Sequence, residues 1–258
     1  MLNFSETQLL STIAGFLWPL FRIGAMLVAM PVFSARAAPA RSRLIISIVI
    51  TMVIWPVLPK MPIIEIFSFQ GFMVALQQVA IGLCTGFILQ MVFASVVFAG
   101  QGVAFSMGLG FASMVDPQTG IQVPVIAQVY VMTSTLLFLV MDGHLLMVEM
   151  LVDSFNTLPV AVEGLTSIDI WSLLSWSSMI FAGGLLLSLP LVAGLLMINV
   201  SFGVATRAAP QLNIFAVGFP VTLMTGMLLL WLTLPNVLDQ FSGLLTNAYG
   251  LIAQLLRL

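Results

Sequence analysis

An all-α fold that crosses a membrane several times is what this chain predicts, and three observations predict it. Of its 258 residues, 61% are apolar and only 6% are charged. Its mean hydropathy is +1.19. Its apolar stretches recur at the length of a spanning helix, about 17–25 residues. A soluble domain is about 45–50% apolar and about 25% charged, so a soluble enzyme is excluded, as is a disordered chain. Seven basic and nine acidic residues leave a net charge of −2 with no basic run, which argues against nucleic acid as a partner. One cysteine, Cys84, excludes an internal disulfide and a cysteine metal cluster. One histidine, His144, speaks against a histidine metal site. No cofactor and no metal are expected.

The first apolar stretch runs from about Leu9 to Val32 and is interrupted only by Arg22. A loop with Arg36, Pro39, Arg41 and Arg43 follows. The next stretch, 44–58, is short for a span and is closed by Pro56, Pro59 and Pro62. A third begins near Phe69 and carries no charge before Asp116. It is too long for one ordinary span, and Gln77, Gln78, Gln90 and Gln101 predict that part of it faces protein. Residues 106–124 break the pattern, because Gly108, Gly110, Pro117, Gly120 and Pro124 do not support a regular helix. A fourth stretch covers about Val125 to Met141, and a mixed acidic region covers 142–169. A fifth covers about Ile170 to Phe202 and a sixth about Ile214 to Leu234. The tail 236–258 is expected to be either an amphipathic surface helix or a helix packed inside a complex. The whole, 1–258, reads as a single membrane unit of roughly six long helices.

Glu6, and the lack of Lys or Arg before the first apolar run, make the N-terminus a poor signal peptide; it is expected to be retained. Basic loops stay on the cytoplasmic side. Arg36, Arg41 and Arg43 therefore place the first loop inside and the N-terminus outside. With alternating helices, 142–169 falls outside and Arg207 inside.

Ionisable residues within spans are functional candidates, because burying one costs roughly 2.5–3.5 kcal/mol on insertion scales. Arg22 is the one charge well inside a predicted span. It either snorkels or pairs with a neighbouring subunit, or it serves a gate or an ion path. Asp142-Gly143-His144 reads as a turn at the membrane edge, with Gly143 breaking the helix, or as a proton relay. Gly82 and Gly86 form a small-xxx-small pair that lets helix backbones approach closely. Asn199 and Ser201 could bond across helices or back to their own backbone. Scattered acids and a lone histidine define no nucleophilic triad, and the chain reads as non-enzymatic.

Segment 106–124 is the most informative. Irregular backbone at membrane depth survives only where protein buries it or where it lines a water-filled path. Its apolar residues Met107, Leu109, Phe111, Met114 and Val115 on a glycine-hinged loop could obstruct a pore, and methionine adapts to irregular surfaces. A buried connection between helices fits the same composition. Both readings stay open on composition alone.

Five strings then resemble a known family: WPLFRIGAMLVAMPVFSARAAPARSR (18–43), SMGLGFASMVDPQTG (106–120), LLFLVMDGH (136–144), LVDSFNTLP (151–159) and RAAPQLNIFAVGFP (207–220). In this order, over most of the chain, they resemble the FliR family, the R-type membrane subunits of the flagellar type III protein export gate. The homologous subunit of virulence-type secretion systems is the close alternative. The resemblance implies long, bent helical hairpins with a non-helical plug loop, built to assemble in a hetero-oligomeric ring with P-type and Q-type export gate membrane subunits. It implies a B-type switch protein and an A-type export protein as further partners. It also implies unfolded flagellar substrates passing through the conduit, and a place in the bacterial inner membrane at the flagellar basal body. It places a plug on the segment matching 106–124. In that reading Met107, Leu109, Phe111 and Met114 supply an apolar seal, Gly108 and Gly110 supply backbone freedom, and Asp116 and Pro117 end the loop in a turn. A secondary transporter or ion channel for a small solute is the competing function, but such a protein should show intramembrane ionisable residues and two related halves.

Overall fold

The computed structural model describes residues 6–33, 39–110, 113–115, 122–208 and 214–258. Among them the elements run α1 (Glu6–Ala29), α2 (Ala40–Ile54), α3 (Phe69–Ser106), β1 (Ser113–Val115), β2 (Gln122–Pro124), α4 (Val125–Val140), α5 (Gly143–Thr157), α6 (Ser167–Trp176), α7 (Met179–Ala208) and α8 (Ile214–Leu256). Five helical segments among the described residues are long and apolar enough to cross a membrane, and α4 with α5 makes a sixth if the pair is one span. The protein is an all-α, multi-pass membrane protein.

Local chemistry sets the helix ends. Trp55–Val57 form a 3-10 turn that closes α2, since Pro56 and Pro59 cannot continue the helix. Ser68 caps α3: its Oγ accepts the Gly71 N–H at 3.0 Å. Thr166 and Asp169 form a reciprocal capping box at α6, with the Thr166 N–H on Asp169 Oδ2 at 2.7 Å and the Asp169 N–H on Thr166 Oγ1 at 3.4 Å. Arg257 ends α8 in the left-handed region at φ 60. The Leu258 N–H then reaches Ala253 O at 2.9 Å and the Arg257 N–H reaches Gln254 O at 3.3 Å, the paired bonds of a Schellman motif.

Four sequence expectations change. The fifth stretch is two helices, broken between Trp176 and Met179. The acidic region holds a helix of its own, α5. The sixth stretch and the tail are one helix of 43 residues with Pro220 and Pro235 inside it. Prolines are tolerated in membrane helices because neighbouring groups satisfy the freed backbone. The end of the tail packs one face against its own chain: Ile252 and Leu256 are fully buried, and Leu256 O accepts the Thr157 hydroxyl at 2.6 Å.

The chain divides into two compact units. The first comprises Met1–Gln90, Met141–Trp176 and Ala248–Leu258, and the second Met91–Val140 and Ser177–Asn247. In the first unit α1 lies along the N-terminal part of α3 at close range. A Cβ on Gly82 would collide with Arg22 O and meet Ala25 Cβ at 2.9 Å. A Cβ on Gly86 would meet Ala29 Cβ at 2.6 Å. Small residues four apart on α3 thus face small residues four apart on α1, so the backbones touch. Because both series ascend together, the two helices run parallel.

One turn before Gly82 on α3, this seam reaches Arg22. The side chain is 0% exposed, so it neither snorkels to an interface nor needs a neighbouring subunit. Its Nε donates to Gln78 Oε1 at 2.8 Å, one terminal nitrogen to Ser154 Oγ at 2.9 Å and the other to Leu158 O at 3.0 Å. The guanidinium carbon sits 4.1 Å from the centroid of the Phe155 ring. A planar fork of donors meets acceptors on α3, on α5 and just past it, a geometry that only arginine supplies. The rest of the unit packs a core of Ala14, Trp18, Val74, Phe155 and Val160.

In the second unit Phe93 of α3 stands edge-on to Phe138 of α4 at 6.0 Å and to Phe241 of α8 at 5.5 Å, the favoured arrangement of aromatic quadrupoles. Gly100 presses directly on the backbone of Ala127, which brings α3 and α4 together.

Two outcomes follow for the first unit. Gly82→Leu is expected to force α1 off α3 and cost about 1–3 kcal/mol, seen as a lower thermal midpoint in mild detergent, while Leu76→Ala on an exposed position moves it little. Arg22→Lys keeps the charge but offers a point donor to three spread acceptors. Leaving buried acceptors unmatched costs about 1–3 kcal/mol, so a midpoint equal to the parent protein's would show that the fork is not needed.

Candidate functional site

Beyond Ser106, the described residues of the segment predicted to be non-helical are so, but they include regular structure. β1 and β2 pair antiparallel, with Ser113 opposite Pro124, Met114 opposite Val123 and Val115 opposite Gln122. The two strands form a hairpin inserted between the end of α3 and the start of α4, whose first residue follows Pro124 directly. β-branched Val115 and Val123 favour the extended backbone, and Pro124, with no N–H to give, sits at the last ladder position.

Every described residue of the hairpin's stem is fixed by a specific contact or bond. Beyond α3 the Leu109 N–H bonds Ala104 O at 2.8 Å and the Gly108 N–H bonds Phe105 O at 3.1 Å. These bonds make a Schellman end, and Gly108 at φ +77 takes the left-handed position that glycine adopts without strain. Gly110 serves differently: a Cβ there would strike the Phe105 ring at 2.5 Å, so it gives room rather than an unusual dihedral. Met107 is 0% exposed and lies against Gly226 of α8. Leu109 is half-buried. Met114 is the central residue of β1. Its side chain lies outside the described residues, as do Phe111, Asp116 and Pro117.

The other sequence candidates separate. Asp142, not Gly143, carries the break after α4: it is left-handed at φ 54, and Gly143 opens α5. Aspartate tolerates that region better than most side chains. Its carbonyl accepts the Leu145 and Leu146 N–H groups at 2.9 and 3.0 Å, and its side chain is exposed and caps nothing. His144 is half-buried, with its Nδ1 enclosed and unbonded. Ser201 bonds back to Met197 O at 2.8 Å, and Asn199 is exposed. Of the glutamines on α3, Gln78 holds Arg22 and Gln77 Oε1 accepts the Leu165 N–H at 3.4 Å. Arg36 lies outside the described residues. Among those described, no group of three or more His, Cys, Asp or Glu side chains could hold a metal ion.

Sequence reasoning missed Gly226 and Phe219, the residues of α8 that meet Met107 and Gly108. A lone glycine in an apolar run, TLMTGMLLL, gives no signal of its own, because glycine is common in membrane helices.

Residues 13–248 match the family described as bacterial export proteins, family 1. The chain is 39% identical to the flagellar biosynthetic protein FliR of Escherichia coli (strain K12), over 99% of this chain and 98% of that one. It is 33% identical to the protein of that name from Buchnera aphidicola subsp. Acyrthosiphon pisum, over 96% and 95%. It is 31% identical to that of Bacillus subtilis (strain 168), over 83% and 84%. A helical body that crosses the membrane several times, with a match running almost end to end, places this chain in the bacterial export proteins, family 1.

Proposed function

We propose that the chain is a membrane subunit of the flagellar protein export gate, helping to form the conduit through which unfolded flagellar proteins cross the bacterial inner membrane. The single observation that carries this is the nearly full-length similarity to flagellar biosynthetic proteins. The relatives named above all carry that description, which favours flagellar export over virulence-type secretion and over small-solute transport. The subunit performs no catalytic step. Its partners in this reading are P-type and Q-type membrane subunits, the B-type switch protein and the A-type export protein. Arg41 and Arg43, at the start of α2, face the cytoplasm.

Helix length supports assembly with protein neighbours. At 1.5 Å per residue, α8 is roughly 65 Å long, about twice the hydrocarbon thickness of a bilayer. Hydrocarbon can cover only about half of that length, so the rest of the helix meets protein or water.

The hairpin between α3 and α4 is the plug of this conduit. Its described residues are mostly apolar, with Ser113 and Gln122 the polar ones, and it departs from a helical body at the point where the family resemblance sets the obstruction. Deleting 106–115 is expected to leave the complex assembled and the membrane leaky to small ions, since the flanking helices keep their packing while the obstruction is lost. The measurement is ion permeability of cells, together with co-purification of the tagged chain with two small membrane subunits. An assembled deletion complex without added leak would move the obstruction elsewhere, and purification as a lone active transporter would overturn the gate itself.

Asp142→Asn and His144→Gln are expected to leave export intact, because Asp142 acts through its backbone. A pH-dependent loss of export in assembled complexes would restore the proton-relay reading.

A further inference from the structure

We propose that Gly226 is a positioning residue for the hairpin: the side chain it lacks is the socket that holds Met107. The functional consequence rests on the plug reading above; the socket itself rests on geometry within the second unit.

Met107 is the first residue beyond α3, at the base of a segment that leaves the helical body, yet it is 0% exposed. A Cβ built on Gly226 would lie 2.7 Å from Met107 Cε, 2.8 Å from its Cγ and 3.1 Å from its Sδ. The thioether therefore fills the volume a side chain at 226 would take. A swing of the terminal methyl cannot relieve the overlap, because Cγ is as close as Cε and its place is set by the first side-chain torsion. Methionine suits the site, being unbranched and polarizable.

A second contact lies on the same face of α8. A Cβ on Gly108 would come within 3.2 Å of two ring carbons of Phe219, and Phe219 is seven residues, or two turns, before Gly226. Consecutive residues of the stem thus dock on one stripe of α8. The Schellman bonds at Ala104 and Phe105 fix the direction in which the chain leaves α3. Once Met107 is seated, the start of the hairpin has no other path. The glycine sets how deep the stem sits, and any larger residue at 226 lifts it.

The test uses the complete export complex in a Cys84→Ser background with Leu109→Cys as a reporter, labelled by a maleimide. Gly226→Leu is expected to raise the labelling rate several-fold. Adding Met107→Ala, which empties the space for the new leucine, is expected to return the rate to near that of the parent. Ion permeability should rise and fall with it. Unchanged labelling in an assembled Gly226→Leu complex overturns the socket. If Gly226→Leu does not assemble, recovery of assembly by Met107→Ala supports the socket and failure to recover overturns it. The 106–115 deletion separates the two ideas. A leaky deletion beside a tight, unlabelled Gly226→Leu removes the socket and keeps the plug. A tight deletion beside faster labelling removes the plug and keeps the socket.

Discussion

A guanidinium with no exposure and only neutral acceptors is the constraint on which the first unit depends. Removing an ion from water costs several kcal/mol even after relaxation, so Arg22 is tolerable only where its donors are met. The acceptors lie 56, 132 and 136 residues away in sequence, and the stacked Phe155 adds a π face. Satisfying one side chain thus fixes α1 against α3 and α5 at once. The small residues of the α1–α3 seam make the distance possible: only where Gly82 and Gly86 admit Ala25 and Ala29 can Gln78 stand within 2.8 Å of the arginine.

The same device recurs in the second unit with a different purpose. Gly100 admits the Ala127 backbone and Gly226 admits Met107. In a lipid solvent, association of helices gains little from hydrophobic burial and relies on close packing. Glycine is the residue that brings surfaces nearest. Placing the hairpin's stem in such a notch ties the least helical part of the chain to one of its longest helices.

Class, an approximate span count and the position of the non-helical segment were legible in the sequence, because composition and stretch length report directly on solvent and thickness. The glutamines of α3 marked the helix that meets protein, and Gln78 met it through Arg22. The small-xxx-small pair at Gly82 and Gly86 was visible, but its partners on α1 were not. What stayed hidden is non-local. No periodicity links Arg22 to Ser154, and nothing near Gly226 announces Met107. The hairpin was masked by its glycines and prolines, which read as irregular although Val115 and Val123 were there to pair. Helix ends misled where the usual signals were misplaced: Pro235 lies within α8, and Asp142 rather than Gly143 takes the left-handed turn.

Neither unit is continuous along the chain, and this orders events during synthesis. The first unit gathers residues from both ends of the sequence, including Ala248–Leu258. Domains made from contiguous chain can fold as they emerge, N-terminal part first. Here α5 waits for the last turn of α8, where Leu256 receives the Thr157 hydroxyl. Residue 256 must therefore be made before α5, completed about a hundred residues earlier, gains this neighbour. The arginine's own acceptors, the last of them at Leu158, are all made well before that closing contact.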